Sequence, residues 1–565
     1  MKGTMLVDGQ KIDFDNEKHV LEVVRKAGID LPTFCYHSEL SVYGACRMCV
    51  IEDKGGRILA SCSLPPKDGM EIYTNTPRLR KYRRMILELI LSNHDRDCTV
   101  CEKNGRCKLQ ELATRFGIKR TRFSERRVNL PVDYSNSCIV RNPNKCIMCG
   151  DCMRMCKEIQ GIGAIKLLNN GEKICISSVI DEQSRLIECV NCGQCATVCP
   201  TGALMVRNHT ENVWAQLQDQ KKRVVAQIAP AVRVGIGEEF GLPPGENALG
   251  KIAAALRRLG FEMVFDMSFA ADVTVMEEGK EFLERLKTGE GLPMFTSCCP
   301  AWVQFVEQKY PELALNISSC RSPQQIFGAL IKDYFKKKSE DTKETVIVSI
   351  VPCTAKKREA ELPEYVVDGV KEVNLVITTQ ELALMIREAG IVFNELEPEA
   401  MDMPFGLVSG AGVIFGVTGG VTEAVLRRCV KEKGAGELNN IAVSGVRGMD
   451  GIKEFNLELE GKTVRFAVVS GLKNADELLK RILNKESSYD FIEVMSCRGG
   501  CIGGAGQPIP STNEVKRLRA KGIYNSDKVS QIKTSEGNPI IASFYNHLTK
   551  EEHHCLHRVK ANSEV

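Results

Sequence analysis

Cys299, Cys353, Cys497 and Cys501 stand in the strings TSCCPAW, VPCTAKKREAE and EVMSCRGGC, with Cys298 directly before the first of them. Thiolates are soft ligands, and four of them complete the coordination of a zinc ion or an iron-sulfur cluster. These four span roughly two hundred residues, so only a folded domain brings them to one centre. The C-terminal half is therefore a candidate catalytic region. The cysteines of the first two hundred residues are clustered instead. Cys35, Cys46, Cys49 and Cys62 read C-x10-C-x2-C-x12-C, and His94, Cys98, Cys101 and Cys107 read H-x3-C-x2-C-x5-C. Cys146, Cys149, Cys152 and Cys156 follow as C-x2-C-x2-C-x3-C, and Cys189, Cys192, Cys195 and Cys199 repeat that spacing before Pro200.

Twenty-five cysteines in short C-x2-C units, in a chain showing no export pattern, favour metal ligation over disulfides. For the first set, spacing alone admits zinc as well as iron-sulfur. His94 alone would more often cap a helix end, but three thiolates at fixed short offsets call for a fourth donor within reach. The two repeated runs form an internal duplication like that of bacterial two-cluster ferredoxins, where the fourth cysteine of each run ligates the other cluster. That likeness groups Cys146, Cys149 and Cys152 with Cys199, and Cys189, Cys192 and Cys195 with Cys156.

Strands and helices must position these donors. MLVDGQKIDF alternates as a hairpin with an Asp-Gly turn, and VLEVVRKAG has helical periodicity. Beyond residue 209 the runs RVVAQIAP, VIVSIVPC, LVITTQELALMIREAG, RFAVVSG and DFIEVMSC alternate with helical patterns, which argues for parallel α/β sheets. Thr378 and Glu381 have capping-box spacing. Pro230, Cys353 and Cys497 fall at strand exits, where open α/β sheets carry their sites. Expected domains are residues 1–78, 79–125, 126–208 and 209–565, consistent with the three or four that 565 residues suggest.

No run of eighteen apolar residues and no signal pattern is evident, so the expectation is a cytoplasmic chain with no membrane insertion. The net charge of +4 hides an asymmetry, with 15 Lys/Arg against 6 Asp/Glu between Arg78 and Arg127. This excess serves as a solvated helix face, an offset to anionic clusters, or a docking surface for an acidic redox partner. No nucleic-acid reading motif accompanies it. The glycines of GAGVIFGVTGG run G-x-G-x3-G rather than G-x-G-x-x-G, which argues against a dinucleotide loop.

The string YGACRMC and its strand-helix lead resemble the N-terminal 2Fe-2S β-grasp module of complex I-type and hydrogenase-type proteins. The His/Cys3 set resembles the 4Fe-4S site that follows that module. With the three C-terminal strings, the chain resembles an FeFe hydrogenase over its full length. The resemblance implies one 2Fe-2S cluster, three accessory 4Fe-4S clusters and an H-cluster, a 4Fe-4S cluster joined to a two-iron subcluster with CO, cyanide and azadithiolate ligands. Cys299, Cys353, Cys497 and Cys501 are then its ligands, with Cys501 as the bridge. Cys298, Glu278, Ser318, Glu281 and Arg285 match the family's proton route. Lys356 matches its cyanide contact, Glu359 orients Lys356, and Ala229, Pro230, Gln324, Phe415 and Met495 line the two-iron pocket.

The implied activity is reversible H2 formation from protons and reduced ferredoxin. The alternatives are the catalytic subunit of an NAD(P)-linked or electron-bifurcating complex with flavoprotein subunits, or an H2 sensor. Implied partners are ferredoxin or a similar acidic redox protein, and maturation proteins. Val351, Ala231, Ala301 and Ala505 depart from the family's usual residues without touching the ligand set, and the first two should make the pocket less polar. Cys138, Cys175, Cys320, Cys429 and Cys555 fall outside every pattern and are most simply core or incidental thiols.

Overall fold

The computed structural model describes residues 2–123, 129–169, 174–178, 188–337, 343–367, 369–430, 434–459, 461–549 and 553–558. It is a multidomain mixed α/β protein that divides into two compact units, Met1–Ile187 with Val198–Met205, and Glu188–Thr197 with Val206–Val565.

The first unit opens on a five-stranded sheet ordered Gln10–Phe14, Gly3–Val7, Glu71–Tyr73, Val50–Asp53, Ile58–Ala60. Gly3–Val7 runs parallel to Glu71–Tyr73 and the other pairs are antiparallel. Asp8 and Gly9 both take positive φ, 50° and 84°, as the expected tight hairpin turn requires. The helix Val20–Lys26 buries Val20, Leu21, Val23 and Val24 in the sheet's core, giving the β-grasp arrangement. Thr76 caps the helix Pro77–Asn93 by accepting from the Leu79 N–H, with Pro77 in the first turn. His94 follows at that helix's C-terminus.

The second unit is built on two four-stranded sheets. One is wholly parallel, ordered Met263–Asp266, Lys222–Ile228, Glu344–Val351, Leu375–Thr378. Its central strands are buried along almost their whole length, which explains their continuous apolar runs. The other is ordered Met294–Phe295, Phe491–Met495, Lys462–Ser470, Ile452–Leu459, with only the last pair antiparallel. The helix Ser268–Thr288 is the longest element of this unit and buries most of its first half. Thr378 and Glu381 form the expected capping box on the helix Thr379–Glu388. The Gly410–Val413 turn of GAGVIFGVTGG is a buried helical turn capped by Ser409. Among the described residues no helix is long and apolar enough to cross a membrane.

Candidate metal centre and proton route

In the first unit Cys35, Cys49 and Cys62 are buried and Cys46 is partly so. The four thiols meet in pairs: Cys35 holds Cys46 down at about 6, and Cys62 holds Cys49 down at about 7. The Phe34 N–H donates to Cys46 Sγ at 3.4 Å and the Cys46 N–H to Cys35 Sγ at 3.3 Å. His94, Cys98 and Cys107 line one cavity of about 700 Å³, with Cys101 N–H donating to Cys98 O. Cys146, Cys149, Cys152 and Cys199 line another of about 540 Å³, the grouping expected from the duplicated run. Cys156 is a buried residue of the first unit, whereas Cys189, Cys192 and Cys195 belong to the second.

The dispersed cysteines of the second unit converge. Cys298 and Cys299 follow the strand Met294–Phe295, Cys353 follows Glu344–Val351, Cys497 follows Phe491–Met495, and Cys501 starts a short 3-10 turn. Both sheets thus deliver thiols at the carboxyl ends of their strands. All five line one cavity with Ala229, Pro230, Gln324, Phe415 and Met495. Glycine is required between the last two ligands: Gly500 has φ +89°, and a Cβ there would lie 2.5 Å from the Thr418 nitrogen.

Burial pushes the Cys299 thiol up, while backbone N–H groups of Ser496 and Trp302 and the Lys356 ammonium pull it back. Cys353 is pushed up to about 12 by burial and by Cys299. Burial also raises Cys497 and Cys501, with further pressure from Cys353 and Cys299. Four partly buried thiols that resist ionising singly fit a cationic metal core, because a coordinating thiol is deprotonated by its metal. Among the described residues, Lys356 is the one charged residue lining the cavity. Its ammonium bonds Glu359 at 2.9 and 3.2 Å, and Glu359 also accepts from Ser322 at 2.9 Å and Gln324 at 3.0 Å. The carboxylate is thus fixed on three sides and aims the lysine. Gln194 donates through Nε2 to Cys497 Sγ at 3.2 Å and to Gly503 O at 3.0 Å.

Next to Cys298 the helix Ser268–Thr288 presents Glu278, fully buried and raised to about 7 by burial. Burial also raises the Cys298 thiol, and Glu278 is its largest charged neighbour. Ser297 touches Glu278 Oε1 through its N–H and its Oγ, each at 3.1 Å. That hydroxyl has a shorter bond, 2.6 Å, to Cys320 O. A hydroxyl has one proton to give, so with that proton on Cys320 O, Ser297 Oγ receives one from a protonated Glu278. Glu278 Oε2 is buried without a hydrogen-bond partner among the described residues. Farther out, Glu281 accepts from Ser318 Oγ at 2.8 Å and from Arg285 at 2.5 Å. Arg285 also donates to Gly291 O and Asn316 O, and it is mostly buried. No hydrogen bond links Glu278 to Ser318 among the described residues.

Three neighbours were missed in the sequence. Ser297 precedes Cys298 and Cys299 and carries no signal of its own. Glu493 is buried within the strand Phe491–Met495, accepts from Gly419, Thr422 N–H and Thr422 Oγ1, and adds charge near Cys298 and Cys501; its signal was an acid inside the apolar run FIEVM. Gln194 lies between two expected ligands and gave no hint of its reach. Of the departures, Val351 and Ala231 line the cavity whereas Ala301 and Ala505 do not. Ala505 packs on Gly193, φ +69°, where an added Cβ would come within 2.6 Å of it.

Comparison with known proteins decides the family. Residues 222–505 match the iron only hydrogenase large subunit, C-terminal domain. The NADP-reducing hydrogenase subunit HndD of Solidesulfovibrio fructosivorans is 41% identical, over 98% of this chain and 98% of its own. The chain belongs to the iron-only hydrogenases. Iron hydrogenase 1 of Clostridium pasteurianum is 35% identical over 98% of this chain and 99% of its own length. The solved apo [FeFe]-hydrogenase from Chlamydomonas reinhardtii aligns with TM-score 0.54 and 38% identity, covering 62% of this chain and 98% of that one. Upstream of the hydrogenase domain, residues 3–77 match a 2Fe-2S binding domain, 83–122 an NADH-ubiquinone oxidoreductase-G iron-sulfur region and 145–203 a 4Fe-4S dicluster domain. The hydrogenase thus carries iron-sulfur domains of both 2Fe-2S and 4Fe-4S type beside its H-cluster domain.

Proposed function

We propose that the chain catalyses reversible H2 formation, 2 H+ + 2 e− = H2, with reduced ferredoxin as the electron donor. The observation that carries this is the convergence of Cys298, Cys299, Cys353, Cys497 and Cys501 on one cavity beside Lys356, with the buried Glu278 adding charge near Cys298. In this reading Cys299, Cys353, Cys497 and Cys501 would hold an H-cluster, which would supply the redox chemistry that joins protons and electrons. Lys356 offsets the negative charge of its ligands, and the apolar walls exclude water. Cys298 exchanges a proton with Glu278 Oε2, and Ser318, Glu281 and Arg285 carry it to the surface. Residues 1–78, 79–125 and 126–208 serve as the one 2Fe-2S and three 4Fe-4S stages that feed residues 209–565, and the basic surface receives the acidic donor.

A second reading makes the chain the H2-converting subunit of an NADP-linked complex. It is favoured by the likeness to HndD, a subunit of an NADP-reducing hydrogenase by name. The first test is H2 production from reduced methyl viologen after loading with the synthetic two-iron cofactor; a loaded but inactive protein overturns the enzyme reading. Purification from the native host separates the two partners, because co-elution with flavoprotein subunits overturns the stand-alone ferredoxin enzyme.

A further inference from the structure

Residues 553–558 dock beside the outer end of the proposed proton route. The Arg321 N–H donates to Leu556 O at 2.8 Å, the Arg558 N–H to Ser319 O at 2.7 Å, and Cys320 pairs with His557 in an antiparallel bridge. Leu556 is fully buried in the core of the parallel sheet, so the segment is firmly held. It sets His553 and His557, four residues apart, against Glu277 of the helix Ser268–Thr288. His557 Nε2 lies 3.2 Å from Glu277 Oε2 and His553 Nε2 lies 3.5 Å from the same oxygen. One donor atom from each of the three residues fits within 4.8 Å. A tetrahedral zinc with bonds of about 2.0–2.1 Å spaces its donors about 3.3–3.4 Å apart, so the two measured separations match edges of that polyhedron.

The surrounding hydrogen bonds select the tautomer such an ion needs. Ser319 Oγ lies 3.1 Å from Glu281 Oε2 and 3.0 Å from His557 Nδ1. Arg285 pairs with Glu281, so the Ser319 hydroxyl gives its single proton to that carboxylate and accepts from His557 Nδ1–H. The lone pair of His557 Nε2 then faces a carboxylate oxygen, and two acceptors at 3.2 Å call for a cation between them. Tyr545 donates to the other oxygen, Glu277 Oε1, at 2.5 Å, the kind of outer support that orients a metal-binding carboxylate. Glu277 is 3% exposed and His553 42%, which leaves one side open for entry and for a water ligand.

We propose that Glu277, His553 and His557 bind a zinc-class divalent metal ion, and that the bound ion slows turnover by occupying the His557 nitrogen through which Glu281 and Ser319 would otherwise exchange protons with solvent. The effect on turnover rests on the proton route proposed above; the site itself does not.

Full-length, cluster-loaded protein is incubated with zinc chloride, freed of excess by gel filtration and analysed for metal. The expected result is one zinc per chain in the wild type, lost in His553→Ala and in Glu277→Gln and kept in Cys555→Ser. His553→Ala alters a half-exposed side chain and keeps the test valid if Glu277→Gln folds poorly. Zinc is expected to slow wild-type H2 formation several-fold, reversibly with EDTA, and to leave His553→Ala within two-fold of its own zinc-free rate. Equal zinc content in wild type and variants overturns the site. Site-dependent binding with unchanged turnover overturns the link to Glu281. Failure of the hydrogenase reading would show separately, as no H2 before zinc is added.

Discussion

The two units gather thiols in opposite ways. The first draws most of each set from a short stretch: two residues separate Cys146 from Cys149 and Cys149 from Cys152, and Cys199 joins them on one cavity. The second collects Cys299, Cys353, Cys497 and Cys501 from strand ends of two sheets. Closing a loop of roughly 140 residues, as between Cys353 and Cys497, costs about 3 kcal/mol more than closing a loop of a few residues. Strand pairing and apolar cores offset that cost in the second unit. Short motifs therefore suit electron carriers, while a site of distant residues allows an acid, a cation and a relaying thiol to be placed independently around one cavity.

The contrast can be broken most sharply at Cys298. Cys298→Ala is expected to lower H2 formation by about 100-fold or more, the scale of a lost proton-transfer group, with iron content and the spectra of every cluster unchanged. Undiminished turnover would refute the relay role of Cys298.

Glu278→Gln tests the same relay through pH. The raised value of about 7 means that the folded protein holds a proton the unfolded chain releases near 4.5, so wild-type Glu278 weakens the fold progressively as pH rises from 4.5 to about 7 and by a constant amount above it. The glutamine variant should therefore be more stable than wild type above pH 7, by up to about 3 kcal/mol, with the gap closing below pH 5. Thermal unfolding across that range measures it, and a gap independent of pH would remove the carboxyl from the argument.

A smaller effect is expected at Gln194. Gln194→Leu removes an N–H···S bond to Cys497, which should lower the reduction potential of the cluster that Cys497 holds and slow electron delivery a few-fold without loss of iron. A redox titration with unchanged potential would reduce Gln194 to packing.

The weakest change belongs to the first unit's surface. Arg80, Lys81, Lys119 and Arg120 are exposed, and replacing them with glutamine should raise the KM for ferredoxin about two- to five-fold at low salt while the methyl viologen rate stays constant. An equal loss with both donors would place the fault inside the protein.

Much of this was legible in the chain. Thiol spacing is set by local geometry, so the four N-terminal sets could be read directly, and the strands before Pro230, Cys353 and Cys497 announced themselves by apolar runs that only doubly buried strands need. The capping box at Thr378 was equally local. Ser297, Gln194, Glu493 and the Glu277–His557 contact could not be read that way, because their roles arise from partners that tertiary packing alone supplies. Ala505 is a further case: its departure from the family's usual residue was visible in the sequence, but its packing on Gly193 was not.

The second sheet also fixes an order of events. Met294–Phe295, which leads to Cys298 and Cys299, is bordered by Phe491–Met495, a strand made nearly two hundred residues later. During synthesis the early thiols wait while most of the domain is translated, and iron supplied in that interval finds only part of its seat. The seat for Cys298 and Cys299 is therefore complete only once the strand Phe491–Met495 has been made.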